Sequence, residues 1–448
     1  MRKYNSLLSK RTSSMKSVYF TLISFIAFSI GVVAQTELTP ALAIDLLLKN
    51  NYSIQIARGD SAVLSAAATR GNAGMLPQIG LLAGGTAQNS SINQRFSNGL
   101  EVKTNGVTGN GLNARAELGW TLFDGGRMFT IYNRLKAEEQ LGGLRLKSVI
   151  ENELEKVLIA YYDIIRKQEE LKAKKVALDL FNEQLQIIEA KMALGSASKQ
   201  ELLQSKVDLN SAKSAVLFQQ LDLDNTKIEL YRILAVNQDS EYLFPEPKES
   251  VFSQNIEEVK RNADNGNSQL LILNNDKRLQ EFRLKEAKSE RSPLLNLSAA
   301  YGFNRTSSSA GFALFNQSAG PNAGLSLSWN LFNGSQLNSR IRQSNIQLDQ
   351  QDLLIRQQED LLNAQIRIAY KQWLQSKEIL NLENENISAA EENLKLATER
   401  LRVGQIGILP LKESQRSYQE AISRKSIASF QMYQAELSLM KISGQLLK

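Results

Sequence analysis

The side chains of this sequence that could carry chemistry are carboxylates and cations without the partners that catalysis requires. The 448 residues include no Cys and no His, which excludes thiolate chemistry, disulfides, His-ligated metals and imidazole acid–base catalysis. Gly84-Gly85 and Gly125-Gly126 lack the spacing of a dinucleotide loop, and no Gly-x-x-x-x-Gly-Lys-Ser/Thr run exists. The acidic residues lie in helical patterns with Lys or Arg nearby, which reads as solvated charge. We therefore assign no catalytic residue, metal or cofactor and read the chain as a non-enzyme. The charges left over suit conduction. Arg115 and Glu117 lie on the polar side of an alternating segment and could tune ion preference, or simply be polar lining. Glu413 follows a turn late in the chain, and several copies would form a ring of carboxylates that favours cations. The alternative there is a solvated or salt-bridged Glu413, with Lys412 beside it.

The elements that must position these residues are written twice. Ala-Glu-Leu-Gly-Trp-Thr-Leu-Phe-Asp-Gly at 116–125 returns as Leu-Ser-Leu-Ser-Trp-Asn-Leu-Phe-Asn-Gly at 325–334, an offset of 209 residues. The same offset relates Tyr161 to Tyr370 and Leu194-Gly195 to Val403-Gly404 without a gap. A looser match upstream relates Met75–Ile79 to Arg291–Leu295 at an offset of 216. A period this long indicates duplication of a large unit. We place a first repeat at 35–237, a linker with Pro245 and Pro247 at 238–250, and a second repeat at 251–448. Each repeat reads as a helix, a strand pair and two long helices joined by a tight turn. Helical pattern covers Pro40 to about Thr69 and about Val251 to Ser289.

Strands are expected at about 76–88, 113–123, 294–304 and 323–332, with loops at 87–112 and 305–322. In the strand at 323–332, Leu325, Leu327, Trp329 and Leu331 alternate with Gly324, Ser326, Ser328 and Asn330. Strands of about ten residues with one apolar and one small polar face match a membrane barrel wall, with a soluble half-buried sheet as the alternative. Trp120, Phe123, Trp329 and Phe332 are candidate membrane-interface aromatics. Four strands cannot close a barrel, and open edges are not tolerated in lipid, so several chains must pool them. Three is the smallest comfortable number, giving twelve strands.

Residues 127–194 and 336–403 contain no proline and would each span roughly 100 Å as one helix. Leu178, Phe181, Leu185, Ile188 and Met192 repeat as Ile387, Ala390, Leu394, Ala397 and Leu401, a heptad-like stripe that calls for knobs-into-holes packing. Glu383 and its neighbours read as a solvated face. The turns at Gly195 and Gly404 put two hairpin tips at one end, a place to narrow a tube or meet a partner.

Basic residues from Arg2 to Lys16, an apolar run from Val18 to Val33 and Ala34 before Gln35 describe an export signal at 1–34. A retained membrane anchor is the alternative, and Met15 serves equally well as a start. Without that segment the formal net charge of +7 falls to about +2, and no basic footprint for nucleic acid remains.

Leu-Thr-Pro-Ala-Leu-Ala-Ile-Asp-Leu-Leu-Leu-Lys-Asn-Asn at 38–51, Leu76-Pro77, Trp-Thr-Leu-Phe-Asp-Gly-Gly at 120–126, Trp-Asn-Leu-Phe-Asn-Gly at 329–334 and Arg402-Val403-Gly404 resemble the TolC-type outer-membrane efflux protein family across the mature chain. The resemblance implies a mixed α/β membrane protein. A homotrimer would place a twelve-stranded barrel in the outer membrane over a twelve-helix periplasmic tube with an equatorial belt. It also implies a passive duct for small molecules or drugs, in contact with outer-membrane lipids. Its partners would be a periplasmic adaptor, docked near Gly195, Gly404 and Pro410, and an inner-membrane transporter. A type I protein-secretion duct and a non-channel coiled-coil envelope structural or adhesion protein are the alternatives. The resemblance implies carboxylates ringing the periplasmic entrance at Pro410 and Glu413, of which this chain keeps one. The aromatic and arginine of the family's closing contacts fall on Leu401 and Ile406, so closure must use other contacts.

Overall fold

The computed structural model describes residues 37–239, 241–246, 252–311 and 313–447; the expected export signal lies outside them. In chain order they form α1 (Pro40–Asn50), α2 (Tyr52–Ala67), β1 (Gln78–Arg95), β2 (Glu101–Phe123), α3 (Arg127–Ala193) and α4 (Lys199–Leu234). The second repeat follows as α5 (Ile256–Gly266), α6 (Ser268–Ser289), β3 (Leu294–Ser308), β4 (Phe315–Ser328), α7 (Gln336–Arg402) and α8 (Ile408–Ile442). Among the described residues no helix is long and apolar enough to cross a membrane.

The single helices expected at 40–69 and 251–289 are each broken once. Asn51 and Asn267, related by the offset of 216, adopt extended backbone and cap the following helix, accepting from Ile54 N and Leu270 N. An asparagine side chain that satisfies an orphan helix N–H competes with continuation of the preceding helix. Asn51 is buried and also donates to Ile233 O, which fixes the break to the end of α4.

The four strands form one antiparallel sheet in the order β1-β2-β3-β4. Three strands extend further than their alternation suggested, and the expected loops shrink to short turns near 96–100 and 309–314. The Asn, Gly, Ser and Thr runs continue the hydrogen-bonded ladder as far as Arg95–Glu101 and Ser307–Phe315, because a hairpin ladder needs backbone pairing rather than apolar side chains. The fourth strand likewise begins early, at Phe315, but ends at Ser328, leaving Trp329 to Phe332 outside. Its partner β3 begins after Pro293, which has no N–H to continue the ladder.

Both repeats pin the strand base in the same way. Trp120 Nε1 donates to Met75 O (3.1 Å) and Trp329 Nε1 donates to Arg291 O (3.0 Å). A tight turn then leads into each long helix. Gly125 and Gly126 have φ of +70° and +79°, and Gly334 and Ser335 have φ of +64° and +63°. Asp124 and Asn333 accept from the backbone of Met128 and Leu337, satisfying first-turn donors.

The 67-residue helices α3 and α7 run past a succession of shorter partners. α3 packs against α2 and α6 along its first half, and against α4 and α8 along its second; α7 packs against α6 and then α8. The lateral order toward the hairpin tips is therefore α4-α3-α8-α7. Two apolar clusters sit mid-length at duplicate positions. One gathers α1, Val157, Tyr161, Ile164, Leu230 and Leu234; the other gathers α5, Ile366, Ala369, Trp373 and Leu439. Leu243 to Pro245 of the expected linker pack into the first of them: Phe244 is buried, Glu37 bridges Leu243, and Tyr161 donates to Pro245 O (2.7 Å).

Two predictions follow. A Cβ on Gly125 would lie 2.5 Å from Ser292 Cβ and 2.7 Å from Ser289 O, so Gly125→Ala should lower stability by more than about 2 kcal/mol, adding overpacking to a left-handed backbone. Ser335→Gly should instead stabilise by up to ~1 kcal/mol. Thermal melts of the two variants would separate them. Burial pushes the Tyr161 and Tyr162 hydroxyls up to about 12. A raised value favours the neutral form in the folded chain, so this stabilisation is complete below the unfolded value near 10 and lost between there and about pH 12. Tyr161→Phe/Tyr162→Phe should show a smaller drop in melting temperature across that interval than the parent.

Candidate functional site

The sheet has two chemically opposed faces, and the cross-strand register aligns them row by row. On one face the rows run Ile79/Leu118/Ala299/Ala323, Leu81/Ala116/Tyr301/Pro321 and Ala83/Ala114/Phe303/Ala319. Trp120 beside Leu297 and Leu325 extends this face toward the helices, and Arg305 beside Gln317 closes it at the far end. From Leu295 to Phe303 the apolar band covers roughly 27 Å of strand, or about 20 Å of height at usual barrel tilts, close to the lipid-facing band of known barrels. Ile79, Leu81, Tyr301, Leu325 and Leu327 are exposed on it.

The other face carries Gly80/Glu117/Ala300/Asn322, Gly119/Ser298/Gly324 and Arg115/Gly302/Gly320. A concavity of about 630 Å³ lies over it, lined by Arg115, Glu117, Ser298, Asn322 and Gly324 among others. Arg115 and Glu117 are thus brought together: one Arg115 guanidinium nitrogen stands 2.9 Å from Glu117 Oε2, and both side chains remain about half exposed. Gly80 and Ala300 flank Glu117, while Leu82 and Gly302 flank Arg115, so one apolar side chain shares this face with the ion pair.

At the other end, Gly195 and Gly404 occupy the tips with φ of +73° and +77°, where a side chain would be strained. Pro410 stands in the first turn of α8, where its missing N–H costs nothing. Glu413 is exposed and pairs with Arg416 at 3.2 Å, not with Lys412; Lys412 reaches across to Asp208 of α4 at 2.5 Å. Glu413 therefore heads a ladder through Arg416, Glu420 and Arg424 to Glu383. Glu383, read from sequence as solvated, is largely covered by that pairing. Leu401 is buried in the tip core with Leu394, Ala397 and Leu411, and Ile406 packs on it, so apolar packing occupies these two positions. Trp120 and Phe123 lie within β2; Trp329 and Phe332 lie just beyond β4, strongly exposed.

The seam between the two repeats was invisible in the sequence. α3 and α8 are joined by Glu155–Lys441 (2.6 Å), Glu169–Lys425 (3.3 Å) and Ser426 Oγ donating to Arg166 O (3.2 Å). Tyr162 and Tyr433 stack at 4.2 Å, and Arg166 lies over the Phe430 ring at 5.6 Å. Partners so far apart in sequence leave no local signal. The asparagine breaks, by contrast, recur at the repeat offset and could have been found from it.

Two edges remain unmatched in the single chain. Among the described residues β1 and β4 each have one free side, since β1 pairs with β2 alone and β4 with β3 alone. α7 exposes Ile346, Leu353, Ile368, Leu382 and Leu396, and the opposite edge, α4, exposes Leu203, Val207, Leu217, Leu221 and Ile228. On α4 these fall at heptad spacing, the pattern of a helix that expects a neighbour.

Similar chains are known. The crystal structure of the outer membrane protein VceC from Vibrio cholerae superposes with a TM-score of 0.73 at 15% identity, over 90% of this chain and 96% of that one. The CmeC outer membrane channel of Campylobacter jejuni gives 0.75 at 17% identity over 91% and 85%. The open state of the MtrE outer membrane channel of Neisseria gonorrhoeae gives 0.69 at 15% identity over 91% and 89%. At such identities the likeness establishes the fold. No curated protein matches the chain in sequence. The family description "Outer membrane efflux protein" matches residues 43–236 and 275–445. With both repeats covered and the duplicated strand-and-hairpin fold in place, the chain belongs to the outer membrane efflux protein family.

Proposed function

We propose that three copies of this chain form a passive exit duct of a tripartite efflux system, carrying small molecules or drugs from the periplasm through the outer membrane. The observation that carries this reading is the sheet with two free edges, an apolar band outside and a polar concavity inside. In lipid every backbone polar group must be paired, so β4 of one chain pairs with β1 of the next. Successive strands alternate in direction, which makes that pair antiparallel like the other three. Three chains give twelve strands, with twelve helices below them at any level. The apolar edges of α7 and α4 then cover each other.

Trp120, Phe123, Trp329 and Phe332 sit at the helix side of the apolar band and anchor it at the lipid headgroups. Arg115 and Glu117 project into the lumen as three ion pairs. Glu413 rings the periplasmic entrance, its charge muted by Arg416. The tips around Gly195, Gly404 and Pro410 meet a periplasmic adaptor, which links the duct to an inner-membrane transporter that supplies the energy.

Planar-bilayer recording of the purified, detergent-extracted protein tests this: stepwise ion conductance is expected, and its absence from correctly folded protein would overturn the duct. Selectivity probes the lumen. Glu117→Gln leaves Arg115 unpaired and should shift the reversal potential toward anions; Arg115→Gln should shift it toward cations. Each change should be about twofold in permeability ratio, the scale of a charge screened by open water. Equal reversal potentials for both variants and the parent would place the pair outside the conducting path.

A further inference from the structure

The four strands carry six charged side chains: Arg95, Glu101, Lys103, Arg115, Glu117 and Arg305. Five of them are ion-paired, Arg115 with Glu117 and both Arg95 and Lys103 with Glu101. Arg305 is the exception: no hydrogen bond or ion pair joins its guanidinium to another described residue. It continues the alternation of Leu295, Leu297, Ala299, Tyr301 and Phe303 along β3. It therefore stands on the apolar face, at the first position past the band and at the end away from the helices.

The surroundings of Arg305 are those of a rim. It lies between Leu112 of β2 and Gln317 of β4, and the next row outward on the same face is Asn110, Ser307 and Phe315. The guanidinium carbon stands 5.3 Å from the centre of the Phe315 ring, and that ring is itself 55% exposed. This cation–π contact orients the group without using its N–H donors, which keep their capacity for an anion. No acidic residue occurs in these two rows. β1 and β4, the strands that meet in the trimer, contain none at all, so strand pairing between chains brings no carboxylate from either. A cation at the margin of a hydrocarbon-facing band settles at headgroup level, its stem along apolar surface and its charge outside. The anions at that level are lipid phosphates, and the planar guanidinium fork matches two phosphate oxygens.

We propose that Arg305, oriented by Phe315, binds the phosphate of a lipid headgroup in the leaflet farther from the helices, one lipid per chain. This rests on the outer-membrane reading above. Phe315 lies beside the headgroup as an interfacial aromatic, and the acyl chains of the same lipid run along Phe303 and Tyr301. Native mass spectrometry of the detergent-extracted protein counts chains and bound lipids in one spectrum. The probes are dioleoyl phosphatidic acid, dioleoylglycerol (the same acyl chains without phosphate) and inorganic phosphate. The parent should retain one phosphatidic acid per chain, about tenfold more tightly than dioleoylglycerol, the scale of one charge-assisted contact. Arg305→Gln should abolish that preference, and Arg305→Lys should keep part of it, as a point charge without the fork. Lys103→Gln, the same charge change on the outer part of β2, should keep it in full, and millimolar inorganic phosphate should not displace the lipid. No preference in the parent, a preference retained in Arg305→Gln, or equal loss in Lys103→Gln would overturn the proposal. Displacement by inorganic phosphate would overturn it too, by making Arg305 a site for soluble anions. A monomeric mass with the preference intact would overturn the trimer and leave the headgroup site standing.

Discussion

The rest of the structure depends on unpaired backbone at the two edges of a four-stranded sheet. β1 and β4 each offer a row of N–H and C=O groups with no strand partner among the described residues, on a sheet with one face apolar from Leu295 to Phe303. In water such an edge invites aggregation; in hydrocarbon each orphaned group costs several kcal/mol. Closing the edges on copies of the same sheet satisfies both constraints. The register puts Gly80, Ser298, Gly302 and Gly324 together on the face opposite the apolar one; in the proposed trimer these small side chains would line the lumen.

Duplication carries the closure down the molecule. The same turn, with two residues at positive φ, directs each strand pair into a 67-residue helix. The same asparagine break lets two shorter helices share the track beside it, and the same apolar cluster locks the arrangement mid-length. The copies have diverged where they meet. Contacts inside a chain have acquired charge and aromatic stacking, while the faces left for a neighbour have stayed leucine-rich. A single chain thus presents a pre-joined pair of hairpins, and in the proposed trimer apolar burial and strand pairing would join it to its neighbours.

Much of this was legible in the sequence because it is periodic. The offset of 209 located the hairpins, and uninterrupted helical pattern placed α3 and α7 within a residue of their ends. Alternation identified all four strands. It failed at their limits, since the polar residues after Ala87 and before Pro321 are held chiefly by the backbone ladder rather than by an alternating apolar face, and Pro293 ends the ladder that would have held Trp329 to Phe332. The breaks at Asn51 and Asn267 were missed because an asparagine inside a helical pattern is ordinary unless its side chain caps the next turn. Charge was least legible. Glu413 was read beside Lys412, yet Lys412 turns away to Asp208 on another helix, and Arg416, three residues on along the same helix face, takes its place.

The central claim is that edge closure requires three chains. Native mass spectrometry of the detergent-extracted assembly, with detergent stripped in the gas phase, counts them directly. A single species of three chains is the predicted result; a monomer with an intact sheet, or a closed assembly of a different number of chains, would contradict it.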